Sequence, residues 1–95
     1  MNVAKQIKIN YHEDHKNKFI SKAFETKSIH MGQPAEFFHG SVNTPIHMTT
    51  TYAQSDCGEP FYEHMYGRES NPTKAALENC IASLENGNYG LVASS

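Results

Sequence analysis

Residues 71–95 read NPTKAALENCIASLENGNYGLVASS, and this stretch decides the fold. Asn71 is a favourable N-cap, and Pro72 is well suited to the first helical position because its missing N–H costs nothing there. A spacing of i, i+3, i+4 and i+7, which marks one face of a helix, connects the apolar residues Leu77, Cys80, Ile81 and Leu84. Gly87 supplies a stop signal. The sequence therefore predicts a helix over about residues 72–85.

A short apolar run follows the predicted helix at residues 89–93. A continuous run of this kind is typical of a buried strand in a parallel sheet rather than of a half-exposed strand. A parallel strand needs neighbours that the remaining residues do not supply. We therefore expect an α/β fold of which this chain contains the opening helix and strand, truncated at its C-terminal side.

The chain before residue 71 lacks such regular patterns. Residues 23–70 contain short segments interrupted by glycine and proline, which predicts extended or looped structure with one short helix around residues 23–29. Residues 1–22 are polar and rich in Lys, Asn and His, with apolar residues too sparse for a sustained period. We expect them to form a disordered tail.

The composition describes a chain with a small hydrophobic core. Leu, Ile, Val and Phe together account for 17 of the 95 residues, which is about 18% and lies below the ~20% that a self-sufficient core usually needs. The net charge of −2 is too low for a typical disordered protein. A length of 95 residues excludes a multidomain enzyme, and the composition suits part of a larger one.

Charge and histidine patterns exclude two further classes of function. Residues 1–30 contain six lysines, but these are dispersed and lack a basic-aromatic repeat, so we expect no nucleic-acid partner. His12-Glu13-Asp14-His15 places two imidazoles at i, i+3, yet a zinc site needs three or four ligands on ordered backbone. We assign no metal ligand.

Cysteine usage and hydropathy indicate the compartment. Cys57 and Cys80 do not form a CxxC motif, and the N-terminus has no secretory leader or transit peptide, so reduced thiols in the cytoplasm are expected. Apolar runs are far shorter than the ~20 residues that span a bilayer. We expect no membrane association.

Tyr66-Gly67-Arg68 is the local motif with the clearest chemistry. Arg68 is the only arginine of the chain, and a guanidinium is the preferred bidentate partner of phosphate or carboxylate. A tyrosine two residues away can add a hydroxyl donor on the same side of an extended segment. Locally, the alternative is an exposed arginine paired with Glu63 or Glu69.

The stretch Tyr66-Gly67-Arg68-Glu69-Ser70-Asn71-Pro72-Thr73 resembles the Tyr-x-Arg-x-x-Asn-Pro-Thr motif of the pyridoxal-phosphate enzymes of cysteine and methionine metabolism, the cystathionine γ-lyase family. Three further segments resemble that family in the same order, at residues 24–33, 45–52 and 84–95. The resemblance covers residues 23–95. Gly67 and Glu69 depart from the small or hydroxyl residues that many members have there.

The resemblance implies a fold-type-I domain like that of aspartate aminotransferase, of which residues 71–95 form the start. Residues 23–70 would be an N-terminal arm that docks on a neighbouring subunit of a homo-oligomer, a tetramer in full-length form. Tyr66 and Arg68 would bind the phosphate of pyridoxal 5'-phosphate in that neighbour. Ser94 and Ser95 match residues just before a phosphate-binding turn.

The implied activity is the conversion of cystathionine to cysteine, 2-oxobutanoate and ammonia. Sister activities share the same motifs, namely cystathionine γ-synthase, methionine γ-lyase and a homocysteine-forming sulfhydrylase. The lysine that holds the cofactor covalently in the family has no counterpart here, so we assign no catalytic residue and expect the chain alone to be inactive. A non-catalytic fragment that docks on a full-length subunit is the alternative from another class.

Overall fold

The computed structural model of the chain describes residues 3–60, 64 and 66–94, apart from the side chain of Ala4. In chain order the elements are α1 (Val3–Phe19), α2 (Phe24–His30), β1 (Gln54–Asp56), β2 (Glu59–Pro60) and α3 (Pro72–Leu84). The two strands form an antiparallel hairpin with an irregular register on β1. None of the helices in these ranges is long and apolar enough to cross a membrane.

Helix α3 confirms the helix predicted over about residues 72–85. Asn71 has extended backbone and its side-chain oxygen accepts from the Lys74 amide at 2.8 Å, which is the expected N-cap bond. At the other end the left-handed residue is Asn86, with φ 56°, rather than the predicted stop residue Gly87. Asparagine tolerates this conformation, so it serves where glycine is more usual.

The small core lies where α3 meets α2, the short helix predicted around residues 23–29. Met31, Cys80 and Ala82 are the buried apolar residues of the described part of the chain. Gly32 makes this contact possible, because it has φ 75° and a Cβ there would lie 2.6 Å from the Ala76 carbonyl oxygen. Leu77, expected on the apolar face, is instead about half exposed.

Helix α1 corrects, for Val3–Phe19, the prediction of a disordered tail over residues 1–22, of which residues 1 and 2 lie outside the described residues. Three of its side chains that contact the rest of the chain are Tyr11, His15 and Phe19, which we call the docking seam. The Tyr11 hydroxyl donates to the Ala35 carbonyl at 2.6 Å, and His15 Nε2 donates to the His30 carbonyl at 2.6 Å. Phe19 stacks on the His30 ring at 4.4 Å. The prediction failed because it rested on aliphatic periodicity, whereas this helix docks through rings and polar atoms.

Residues 89–93 correct the predicted strand. They have no regular secondary structure, and Tyr89 and Leu91 are almost fully exposed, at 93% and 87%. The Val92 amide donates to a Glu78 carboxylate oxygen at 2.9 Å, so the segment runs back along α3. A strand of a parallel sheet needs hydrogen-bonding neighbours, and the described residues provide none here. The division at residues 22 and 70 stays a prediction.

Candidate functional site

Tyr66 and Arg68 lie side by side on an exposed turn. The Arg68 guanidinium carbon lies 5.2 Å from the centre of the Tyr66 ring, and Arg68 Nη2 is 3.5 Å from the Tyr66 hydroxyl oxygen. This contact is a cation–π arrangement that holds the guanidinium beside the phenol. The structure thus brings together the two residues predicted to bind phosphate.

The preceding segment holds the turn from one side. Tyr66 forms an isolated antiparallel bridge with Thr51, and the Gly67 amide donates to the Thr50 carbonyl at 2.5 Å. A Cβ on Gly67 would collide with the Thr49 carbonyl oxygen. Glycine is therefore required at this position, where the two backbones approach closely.

The turn is also closed on itself and tied to α3. The Glu69 and Ser70 amides both donate to the Tyr66 carbonyl, at 3.0 and 3.1 Å. Lys74 Nζ lies 3.4 Å from the Arg68 carbonyl oxygen. Because Lys74 belongs to the first turn of α3, this contact links the turn to the capped helix.

A partly buried polar pair, His64 and Ser70, lies at the base of the turn. His64 Nδ1 and Ser70 Oγ are 2.8 Å apart, and His64 is only 9% exposed. The His64 ring also contacts the Tyr52 ring, with centroids 5.8 Å apart. The sequence did not predict the hydrogen bond between His64 and Ser70, because it depends on the path of the turn and has no characteristic residue spacing.

A second link, also missed, joins the segment before the hairpin to α3. The Thr73 hydroxyl donates to the Pro45 carbonyl at 2.8 Å and accepts from the His47 amide at 2.8 Å. Thr73, which belongs to the family motif, therefore connects residues 45–47 to helix α3 by hydrogen bonds. Of the two serines matched to a phosphate turn, Ser94 is exposed and Ser95 lies outside the described residues.

The local alternative for Arg68 is an ion pair with a neighbouring carboxylate. Within residues 3–60, 64 and 66–94, Glu69 forms no ion pair with Arg68, and Glu63 falls outside these ranges. Glu69 therefore does not neutralise the guanidinium. An exposed cation beside a phenol hydroxyl is a donor set that fits a phosphate dianion.

Other polar groups of the described chain have different roles. Glu36 accepts from the Phe38 and His39 amides at 2.9 and 2.6 Å. These bonds hold the pKa of the Glu36 carboxyl below its ordinary value, and the bond from the Phe38 amide has the largest effect. The nearby His39 side chain lowers this pKa further. Over the same part of the chain, no group of three or more His, Cys, Asp or Glu side chains is arranged to hold a metal ion.

Comparison with known proteins identifies the family. The model of the "Cys/Met metabolism PLP-dependent enzyme" family matches residues 25–95. The chain belongs to this family. The family's cofactor is pyridoxal 5'-phosphate, and the family description places its members in cysteine and methionine metabolism. Helix α1 precedes the matched residues.

Individual relatives agree with the family assignment. The chain is 44% identical over 75 residues to cystathionine γ-lyase of Saccharomyces cerevisiae, covering 79% of this chain and 19% of the relative. It is 46% identical over 70 residues to a probable cystathionine γ-synthase of Herpetosiphon aurantiacus, covering 73% and 21%. It is 44% identical over 73 residues to cystathionine β-lyase of Lactococcus lactis, covering 77% and 19%.

The solved structures confirm the fold class. The crystal structure of cystathionine γ-lyase from yeast matches with a TM-score of 0.68 at 44% identity, covering 75% of this chain and 18% of that one. The chain thus spans about a fifth of the length of the relatives it matches. These relatives have different activities, namely γ-lyase, γ-synthase and β-lyase. They therefore agree on the family and differ in the reaction.

Proposed function

We propose that Tyr66 and Arg68 bind the phosphate of pyridoxal 5'-phosphate in a neighbouring subunit of a transsulfuration enzyme resembling cystathionine γ-lyase. The observation that carries this proposal is the Arg68 guanidinium, which lies against Tyr66 on an exposed turn and is not neutralised by Glu69. The enzyme would convert cystathionine to cysteine, 2-oxobutanoate and ammonia. We call these two residues the phosphate clamp.

The chemistry of each side chain suits this role. A guanidinium offers parallel N–H donors to two phosphate oxygens, and a phenol adds a third donor at low entropic cost. When bound, the cofactor supplies an electron sink for bonds at the substrate α-carbon. Tyr66 and Arg68 would hold its phosphate end and so orient the ring that reacts.

Contact with a neighbouring subunit is supported by the surface of residues 42–48. Val42, Ile46 and Met48 are 81%, 81% and 92% exposed, so this segment presents apolar side chains to its surroundings. Exposed apolar surface of this kind is typical of an interaction site. In the proposed homotetramer, residues 23–70 form an arm, and these side chains of the arm are buried against the neighbouring subunit.

The chain taken alone is proposed to be inactive. No lysine of residues 1–95 matches the one that holds the cofactor in the family, so the chain can contribute binding groups to an active site but cannot start the reaction. Assay of the isolated chain with cystathionine and the cofactor should give no 2-oxobutanoate. Turnover by the isolated chain would contradict this.

The phosphate clamp can be tested in a hybrid enzyme, defined as residues 1–95 joined to the part of yeast cystathionine γ-lyase that follows the matching segment. Arg68→Ala should raise the Kd for pyridoxal phosphate about 10-fold or more, since a charge-assisted hydrogen bond contributes about 1.5–3 kcal/mol. The Kd for pyridoxal, which lacks the phosphate, should stay within about 2-fold of the parent. Arg68→Lys should recover only part of the loss, because lysine lacks the fork.

A matched control for charge is Lys22→Ala, which removes an exposed cation between α1 and α2. It should leave the Kd for both ligands unchanged. If Arg68→Ala weakens pyridoxal and pyridoxal phosphate equally, or weakens neither, the phosphate clamp is wrong.

The reaction itself is tested by product analysis of the holoenzyme that contains this chain. Cysteine and 2-oxobutanoate from cystathionine support the γ-lyase proposal, whereas homocysteine and pyruvate would identify a β-lyase instead. Net synthesis of cystathionine would identify a γ-synthase.

The proposed location is the cytoplasm. The proposal rests on the sequence, in which Cys57 and Cys80 form no CxxC motif, so reduced thiols are expected. A fluorescent fusion found in a secretory or organellar compartment would overturn this part of the proposal.

A further inference from the structure

The turn that carries the phosphate clamp is flanked by two side chains that bind each other. His64 lies two residues before Tyr66 and Ser70 lies two residues after Arg68, and His64 Nδ1 is 2.8 Å from Ser70 Oγ. This hydrogen bond joins the two ends of the segment that presents the clamp. It is partly shielded from water, because His64 is only 9% exposed and Ser70 is half-buried.

We infer that His64 and Ser70 are positioning residues that hold the phosphate clamp in its binding geometry, an inference that rests on the proposed function. Neither side chain needs to touch the phosphate. Their effect passes through the backbone of the turn, where the Ser70 amide donates to the Tyr66 carbonyl at 3.1 Å. Ser70 is thus tied both to His64 and to the residue that carries the phenol.

The packing around His64 explains why this bond can set the geometry. The Tyr52 ring contacts the His64 ring at 5.8 Å, so the imidazole is held by a residue outside the turn as well as by Ser70. Ser70 directly precedes Asn71, the N-cap of α3, whose side chain is fixed by the Lys74 amide. The bond therefore connects a packed aromatic pair to a capped helix.

A fixed turn raises affinity by removing a cost of binding. Arg68 and Tyr66 are exposed side chains, and each loses conformational freedom when phosphate binds. With the turn closed, the guanidinium and the phenol hydroxyl already lie 3.5 Å apart before the ligand arrives. Without the bond, the two donors would have to be ordered by the phosphate itself.

The test uses Ser70→Ala and Ser70→Thr in the hybrid enzyme. Ser70→Ala should raise the Kd for pyridoxal phosphate about 5- to 10-fold, which corresponds to one hydrogen bond of about 1 kcal/mol. The Kd for pyridoxal should remain within about 2-fold of the parent. Ser70→Thr keeps the hydroxyl and should restore most of the affinity for pyridoxal phosphate.

His64 provides an independent variant on the other side of the bond. His64→Asn keeps a polar atom near the position of Nδ1 and should lose less phosphate affinity than His64→Phe, which keeps the ring packing and removes the hydrogen bond. Ser55→Ala is the matched control, because its hydroxyl bonds within the hairpin, to the Glu59 carbonyl at 3.3 Å. It should change neither Kd.

Two results would overturn the inference. If Ser70→Ala weakens pyridoxal and pyridoxal phosphate equally, the bond supports the fold in general and does not position the clamp. If Ser70→Ala changes neither Kd, the bond has no role in binding. Arg68→Ala separates this failure from that of the phosphate clamp, since the clamp still stands if Arg68→Ala alone gives a phosphate-specific loss.

Discussion

Helices α1 and α3 reach the same local structure by different means. Helix α3 begins at an asparagine cap followed by proline and contributes Cys80 and Ala82 to the core. Helix α1 buries no such side chain among those described and is held by the docking seam, through bonds to the carbonyls of His30 and Ala35. Helix α3 is therefore specified by its own sequence, whereas α1 depends on the segment that receives it.

The largest expected effect tests the core on which α3 depends. Gly32→Ala places a methyl group against the backbone of α3, 2.6 Å from the Ala76 carbonyl and 3.1 Å from the Cys80 amide nitrogen, at a φ of 75°. We expect a loss of about 2–4 kcal/mol in the free energy that protects the α3 amides from hydrogen exchange in the hybrid enzyme.

Gly40→Ala is the control for that substitution. Gly40 has nearly the same φ, 74°, but nothing lies within 4 Å of the position that a Cβ would take there. It should cost only the backbone strain, about 1 kcal/mol. Equal effects of Gly32→Ala and Gly40→Ala would show that the α2–α3 contact is not close-packed.

The next effect tests whether α3 is specified locally. Asn71→Ala removes the oxygen that accepts from the Lys74 amide at 2.8 Å, and loss of such a cap costs about 1 kcal/mol. Hydrogen exchange of the first turn of α3 should increase accordingly. Asn79→Ala, inside the same helix, removes no cap and should leave exchange unchanged or slower, because alanine is the better helix former.

A smaller effect tests the docking seam. Tyr11→Phe keeps the ring, which contacts Phe37 at 5.3 Å, and removes the 2.6 Å hydrogen bond to the Ala35 carbonyl. We expect the free energy that protects the α1 amides from hydrogen exchange to fall by about 0.5–1 kcal/mol, while that of the α3 amides stays unchanged. If exchange in α3 rises equally, the two helices form one cooperative unit and the contrast between them is wrong.

The smallest effect comes from pH and concerns the segment that receives α1. The pKa of Glu36 is lowered, mainly by the Phe38 amide, so its contribution to stability is complete above the ordinary glutamate pKa and is lost as the pH falls through the lowered value. The Phe38 and His39 amide resonances should move together in that acidic range. Glu36→Gln should abolish this movement, and its persistence would assign the titration to another group.

The sequence predicted α2, α3 and the proximity of Tyr66 to Arg68, because each depends on residues a few positions apart. Caps, glycine breaks and short spacings are local signals that survive without knowledge of the fold. Helix α1 escaped prediction, since its partners lie 15 and 24 residues away in sequence. The His64–Ser70 bond escaped for a related reason, because it exists only when the turn between them has its observed path.

The predicted strand at residues 89–93 illustrates the opposite error. The apolar composition suggested burial, yet Tyr89 and Leu91 are 93% and 87% exposed. The predicted backbone conformation failed as well, because in a sheet it is set by hydrogen bonds to other strands. In the described structure the Val92 amide bonds to Glu78 instead.

The two cysteines differ sharply in access. Cys57 is exposed at the turn between β1 and β2, whereas Cys80 is buried with its sulfur 3.8 Å from the Lys27 and Ser28 carbonyls. A maleimide or nitroxide reagent will therefore modify Cys57 first. The difference in access gives this chain one labelled position without any substitution. In an assembled oligomer, pulsed electron resonance between such labels would measure the spacing of the hairpins of different subunits directly.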